Sequence, residues 1–335
     1  MRIGIVTPAP PDSRYGNRIT ALRWAKILRN LGHRVSIIEA YDLRRYDLLV
    51  ALHARKSHSS IIKFRRENPA APLVVALTGT DLYRDIRNSQ RARESLDIAT
   101  RIVVLQPKAI AELQPRWRIK TRVIYQSVES GQRRTVTSDR SEKAIARKSD
   151  ASNRSKRSFD VCVIGHLRAV KDPFRTALAA RSLPDSSKIR VVQVGDAMTT
   201  AMANKARKEM NSNQRYRWLG EQPPSRVFHI LNKSALCVIS SQMEGGANVL
   251  SEAIAASVPI LASRIDGNIG ILGAGYPGYF DVGDTSQLAR LLTRAETSPG
   301  YLAELKRWST RLAVLVDPIL EKQTWSDLLG ELFAP

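Results

Sequence analysis

The chain has 335 residues, 43% of them hydrophobic and 25% charged, enough apolar material for two ordinary cores rather than one. Its 53 lysines and arginines against 31 acids give a formal net charge of +22, which points to anionic partners such as nucleic acid, a membrane surface or phosphorylated metabolites. Two cysteines, each inside an apolar run, argue against a disulfide scaffold, a cysteine metal site or a redox site; with no run of about 18 apolar residues and no secretion-type opening, a reducing cytoplasm is the expected location.

Short runs rich in Val, Ile and Leu recur at residues 2–6, 34–38, 47–52, 73–77, 101–105 and 122–125, with helix-like stretches between most of them. That alternation predicts parallel strands joined by crossover helices. Residues 20–31 carry a helical period, with Ala21, Trp24, Ala25 and Leu28 on one face and Gly32 available to end the helix. From 131 to 158 the pattern stops: nine basic and three acidic residues, many serines and no apolar period predict a flexible basic linker.

A second alternating series follows at 159–164, 189–194, 215–219, 235–239, 259–262 and 278–282, and a helical tail is broken by Pro318. The expected organisation is an N-terminal Rossmann-like domain (1–130), the linker (131–158), a second Rossmann-like domain (159–316) and a C-terminal helix (317–335) able to pack back on the first domain. The fold class is α/β, two doubly wound domains facing a cleft.

In an open parallel sheet, ligands bind beyond the carboxyl ends of the strands, so the residues that follow each run are the candidates. In the first half these are Gly16 and Asn17 with Arg18, then His53, Arg55 and Lys56, then Thr78, Thr80 and Asp81. His53 with Arg55 and Lys56 suits a tetrahedral anion, and equally a plain solvated loop. In the second half they are His166, Arg168 and Lys171, then Glu244-Gly245-Gly246-Ala247-Asn248-Val249-Leu250-Ser251-Glu252. There a strand ends, two glycines turn the chain and an Ala-rich helix starts near Asn248, whose free N–H groups suit phosphate; a glycine turn with a capped helix and two solvated glutamates fits the spacing as well. Arg168 and Lys171 suit a diphosphate, or are two exposed cations among 53. Gly16-Asn17 lacks the G-x-G-x-x-G fingerprint, and no P-loop, HExxH or G-x-S-x-G sequence is present.

Glu244 and Glu252, with seven residues between them, resemble the E-x7-E signature of retaining, GT-B-fold glycosyltransferases of the glycosyltransferase-4 type. The resemblance implies a nucleotide diphosphate sugar in the C-terminal domain, with Glu244 near the donor sugar, Glu252 on the ribose, the amides from Ala247 to Leu250 near the diphosphate and Lys171 on it. His166 stands where that family usually has an arginine, and Arg168 comes two residues later. Across nearly the whole chain, RIGIVTPAP, ALHARKS, TGTDLYRDI, GHLRAVKDPFR and EGGANVLSEAI look like the selenosugar synthases of selenoneine biosynthesis.

That likeness implies transfer of N-acetylglucosamine or glucose from UDP-N-acetylglucosamine or UDP-glucose to selenophosphate, forming a C–Se bond. Glu244 and His53 are then the candidate catalytic residues, and Gly16, Asn17, Arg18, Arg55, Lys56, Thr78, Thr80 and Asp81 the acceptor side. Cations and a helix dipole can neutralise the diphosphate, so no metal or cofactor is expected. The alternatives are another acceptor, such as a thiol, a lipid or a glycan, and a nucleic-acid-binding protein. With 6% aromatic residues and no nucleic-acid motif, neither nucleic acid nor a membrane is the expected partner.

Overall fold

The computed structural model describes residues 1–129 and 158–334, so the predicted linker, apart from Ser158, lies outside the described residues. The first domain holds β1 (Arg2–Val6), α1 (Gly16–Asn30), β2 (Arg34–Ile38), β3 (Leu48–Leu52), α2 (His58–Glu67), β4 (Leu73–Leu77), α3 (Gln90–Ile98), β5 (Arg101–Val104) and β6 (Thr121–Val123). All six strands pair in parallel in the order β2-β1-β3-β4-β5-β6. β3 and β4 read LLVAL and LVVAL with every residue buried, as a parallel sheet covered by helices on both faces requires.

The second domain repeats the plan with β7 (Phe159–Ile164), α4 (Arg175–Arg181), β8 (Ile189–Val194), α5 (Thr200–Ser212), β9 (Tyr216–Trp218), α6 (Pro224–Lys233), β10 (Leu236–Ile239), α7 (Asn248–Ala255), β11 (Ile260–Ser263), α8 (Asp266–Leu272), β12 (Tyr279–Phe280), α9 (Thr285–Thr297) and α10 (Pro299–Leu312). Its parallel order is β12-β11-β10-β7-β8-β9. Cys162 and Cys237 are register partners on β7 and β10, both free and fully buried.

Local sequence explains most of these boundaries. In α1, Ala21, Trp24, Ala25 and Leu28 are fully buried on the sheet-facing side, and Gly32 takes φ +88° beyond the helix end. The helix starts at Gly16, four residues ahead of the expected position, because its first turn meets the cleft rather than the sheet and carries no apolar period there. β12 is only two residues long, and Val282, expected inside it, is exposed.

The last helix, α11 (Pro318–Phe333), starts with Pro at its first turn, and the Asp317 carboxylate accepts from the Ile319 amide at 2.8 Å. It leaves the second domain, where Val316 is buried in the core, and packs on the first. Trp325 meets Trp24 edge-on with ring centroids 5.0 Å apart, beside Leu328 and Leu329. Beneath this contact lies Glu321, 2% exposed. Its carboxylate accepts from Trp24 Nε1 (2.8 Å), the Ser127 amide (2.8 Å), Ser127 Oγ and Arg23 Nε (3.2 Å).

A buried charge is tolerated only when its lone pairs are filled, as they are here. Glu321→Gln leaves the Arg23 guanidinium without its countercharge, and the expected loss of stability is about 3 kcal/mol. Urea unfolding checks it: the midpoint falls while the slope stays unchanged.

Candidate active site

Strand order reverses between β1 and β3 in the first sheet and between β7 and β10 in the second. Loops leaving two such neighbours diverge and open a crevice. The two crevices face each other and enclose a cavity of about 460 Å³. From the first domain Gly16, Asn17, His53, Lys56, Thr78 and Thr80 line it; from the second come His166, Arg168, Lys171, Glu244, Gly246, Ala247, Asn248, Val249 and Glu252.

Five predicted site residues do not line the cavity. Asp81 is fully buried behind it, accepting from the amides of Ala54 (3.2 Å), Thr78 (3.1 Å) and Gly79 (2.9 Å), so it shapes two loops instead of meeting a ligand. Arg55 turns away to pair with Asp85 at 2.8 Å. Arg18 points its Nε into a buried position without a hydrogen-bond partner among the described residues. Leu250 is fully buried in the core, and its amide donates to the Ala247 carbonyl at 2.9 Å, which removes it from the free N–H groups of the helix start. Gly245 is buried where the domains touch: a Cβ there would lie 2.5 Å from the Thr78 carbonyl carbon.

His53 ends β3 with φ +74°, a conformation that a residue with a Cβ holds only when its surroundings enforce it. The Asp81 carboxylate stands 3.9 Å from Nδ1 and the Asp85 carboxylate 3.8 Å from Nε2, while Thr80 Oγ1 approaches Nε2 at 3.4 Å. Burial pushes the imidazole below its ordinary 6.5, outweighing the pull of the Asp81 charge towards the protonated form. The ring is therefore neutral at pH 7. The Lys56 amide, 3.4 Å from Nδ1, makes that nitrogen the acceptor and leaves the proton on Nε2.

Across the cleft, Glu244 is 8% exposed and accepts from Ser241 Oγ at 2.6 Å and from Lys171 Nζ. Arg168 is exposed and has no ion-pair partner among the described residues. His166 joins the two halves: Nδ1 accepts from the Asp196 amide (3.2 Å), Nε2 lies 3.3 Å from the Arg14 carbonyl, and Tyr15 packs edge-on to the ring. Glu252 sits in the second turn of α7. Burial raises its carboxyl pKa, and the Arg23 charge opposes that rise.

Several residues at the site are not expected from the sequence. Arg14 crosses the cleft to the Gln222 carbonyl (2.7 Å) and to Glu221 (3.6 Å). Gln126 lines the cavity; the amide orientation that satisfies its neighbours donates to the Gly246 carbonyl (2.9 Å) and Asn248 Oδ1 (3.0 Å) and accepts from Arg23 Nη2 (3.2 Å). Pro224, Val227 and Phe228 add an apolar part to the lining. Of these, Arg14 lies in the loop after β1 and Gln126 in the loop after β6, where the strand-end rule reaches; nothing in the sequence marks the others.

The arrangement offers cations, a helix start with free amides, two carboxylates of different environment and an apolar part of the lining, a set suited to a nucleotide diphosphate ligand. Two parallel α/β domains closed over a cleft at their switch points define the GT-B architecture. The comparisons with known proteins agree. Residues 144–311, just over half of the chain, match the family "Glycosyl transferases group 1", and the chain belongs to that family. It is similar to the Glycosyltransferase 1 domain-containing protein 1 of Xenopus tropicalis, 23% identical over 310 residues that cover 88% of each chain.

Among solved structures it is similar to Anabaena Alr3699/HepE in complex with UDP-glucose, with TM-score 0.76 and 16% identity over 99% of this chain and all of that one. It is likewise similar to the sucrose-phosphate synthase of Thermosynechococcus elongatus, with TM-score 0.77 and 17% identity over 99% of both chains. At these identities the structural likeness shows the fold.

The electrostatics of His53 give a direct test. In an NMR titration its ring is expected to change charge below 6.5. Asp81→Asn, which removes the charge favouring imidazolium, is expected to move that titration lower still.

Proposed function

We propose that the protein transfers a glycosyl unit, N-acetylglucosamine or glucose, from a UDP-sugar to selenophosphate. Family membership supports glycosyl transfer, and the second domain's wall supports the donor. The apolar lining of Pro224, Val227 and Phe228 suits a base, Glu252 suits ribose hydroxyls, and Arg168, Lys171 and the first turn of α7 suit the diphosphate. Glu244 lies where the sugar attached to that diphosphate would sit.

The observation that carries the acceptor reading is the opposite wall. There Arg14, His53, Lys56, Thr78 and Thr80 line the cavity, and no carboxylate does so from that domain among the described residues. A sugar hydroxyl acceptor finds no carboxylate base on that wall. Selenophosphate arrives with its nucleophile already anionic, and cations with hydroxyl donors are what it needs. The selenium lone pair forms the C–Se bond as the anomeric C–O bond breaks and UDP leaves with the electron pair, stabilised by Lys171, Arg168 and the helix start. Water then cleaves the Se–P bond, giving inorganic phosphate and the 1-selenosugar.

The test incubates purified protein with UDP-N-acetylglucosamine or UDP-glucose and selenophosphate and follows the selenium isotope pattern by mass spectrometry. Selenosugar formation, persisting in excess chelator because no metal is required, is the expected result. UDP release without selenium incorporation would sink the acceptor assignment. Glu244→Gln is expected to lower kcat about a hundredfold with little change in KM. Glu252→Gln is expected to raise the KM for UDP-sugar.

The raised Glu252 pKa adds a pH signature. The ionised carboxylate is the form that accepts ribose hydroxyls, so affinity falls as pH drops through a value above the ordinary 4.5. Binding measured in Glu252→Gln is expected to lose that acid-side dependence.

A lipid acceptor is the second reading, and one observation favours it: Tyr15, at the N-cap of α1, and Ile19 and Leu22 within the helix are exposed, and the first two line the cavity. Sedimentation with anionic vesicles, joined to the absence of selenium transfer, would favour this acceptor.

A further inference from the structure

The nucleotide end of the cleft depends on a charge that the second domain does not supply. Asn248 opens α7, yet the guanidinium bonded to its side chain is that of Arg23, on α1 of the first domain. Its Nη1 donates to Asn248 Oδ1 at 3.2 Å, across 225 positions of sequence. Nη2 donates to Gln126, whose amide in turn donates to the Gly246 carbonyl and to Asn248 Oδ1. Nε is held from behind by Glu321, 3.2 Å from Oε1 and 3.1 Å from Oε2, and the Arg23 side chain is 12% exposed.

The nitrogens of this planar fork therefore divide the contacts between them: Nε anchors the side chain to α11, Nη1 reaches over the cleft to Asn248 at the start of α7, and Nη2 holds Gln126, which relays to the same helix start. A single ammonium cannot span all three. The contact is also close at the backbone, since a Cβ on Gly16 would lie 3.7 Å from Asn248 Nδ2.

We propose that Arg23 is a positioning residue for the donor: anchored on Glu321, it reaches across the cleft and, directly and through Gln126, fixes Asn248 and the Gly246 carbonyl in the arrangement that receives the nucleotide. The inference rests on the UDP-sugar reading and goes beyond it, because it makes nucleotide affinity in one domain depend on a side chain of the other. Arg23 itself does not line the cavity. Its loss falls on donor affinity and spares the chemical step.

Isothermal calorimetry with UDP, and steady-state kinetics with UDP-sugar, test this in Arg23→Lys, which keeps a cation against Glu321 but lacks the second arm. UDP is expected to bind about tenfold more weakly, with donor KM rising in step, kcat within about twofold of wild type and the melting temperature nearly unchanged. In an Asn248→Ala background the same substitution is expected to cost less than about threefold, because the two residues act as a pair. Should Arg23→Lys fold poorly, Asn248→Ala leaves the Arg23–Glu321 pair intact and is expected to weaken UDP binding likewise.

Wild-type affinity in both well-folded variants, or full additivity between Arg23→Lys and Asn248→Ala, would overturn the assignment of Arg23 while leaving the donor reading standing. A wild-type protein that ignores UDP would overturn both.

Discussion

Covering a parallel sheet on both faces leaves polar side chains one useful place, the ends of the strands. β3 and β4 show the constraint in its plainest form: five apolar residues in a row, all buried, followed at once by His53 and by Thr78. Because the strand order reverses beside β1 and beside β7, the loops at those points separate and make room. Everything the site contains follows from placing two such gaps face to face. The apolar interior that stabilises each domain also lowers the local dielectric at the cleft floor, which is why His53 stays neutral and Glu252 resists ionisation.

Bringing two domains this close requires small residues at the seam and a rigid brace behind it. Gly245 lets one backbone lie on Thr78, and Gly246 and Gly270 leave space for Leu105 and Gln106 of the first domain. The brace is α11, which carries the chain back from the second domain and seats Glu321 under Arg23 and Trp24. A carboxylate in that position would be destabilising if it were not surrounded by donors, so its presence where an apolar residue would also fill the space points to a use for the charge it holds in place.

Much of the fold was legible in the sequence because its signal is local. Short buried apolar runs announce strands, and ten of the twelve strands lie where such runs stand or within one residue of them at each end; β6 and β12 depart by more, pairing over only three and two residues where the apolar runs are longer. The start of α1 escaped for a related reason: its first turn faces the cleft, and periodicity records only the face that meets the core. At the site, residues directly after most strands were found by topology, whereas Arg23, inside α1, was not, and Gln126, three residues beyond β6, was passed over. Their importance comes from partners such as Asn248, and no local window contains both ends of that contact.

Asp81 and Arg55 mark the limit of the strand-end rule. A polar residue after a strand can face a ligand or satisfy the backbone of the turn itself, and a sharp turn leaves several amides to satisfy. Asp81 takes three of them, and Arg55 is drawn to Asp85, so both are spent on holding His53 and Thr80 in place. The residues that remain free to face the cavity are then a neutral imidazole, a lysine and hydroxyls. Such a wall stabilises an anion that arrives already ionised better than it activates a neutral acceptor: the carboxylates that would serve as strong bases are buried behind the imidazole, where their charge orients it and cannot reach the substrate.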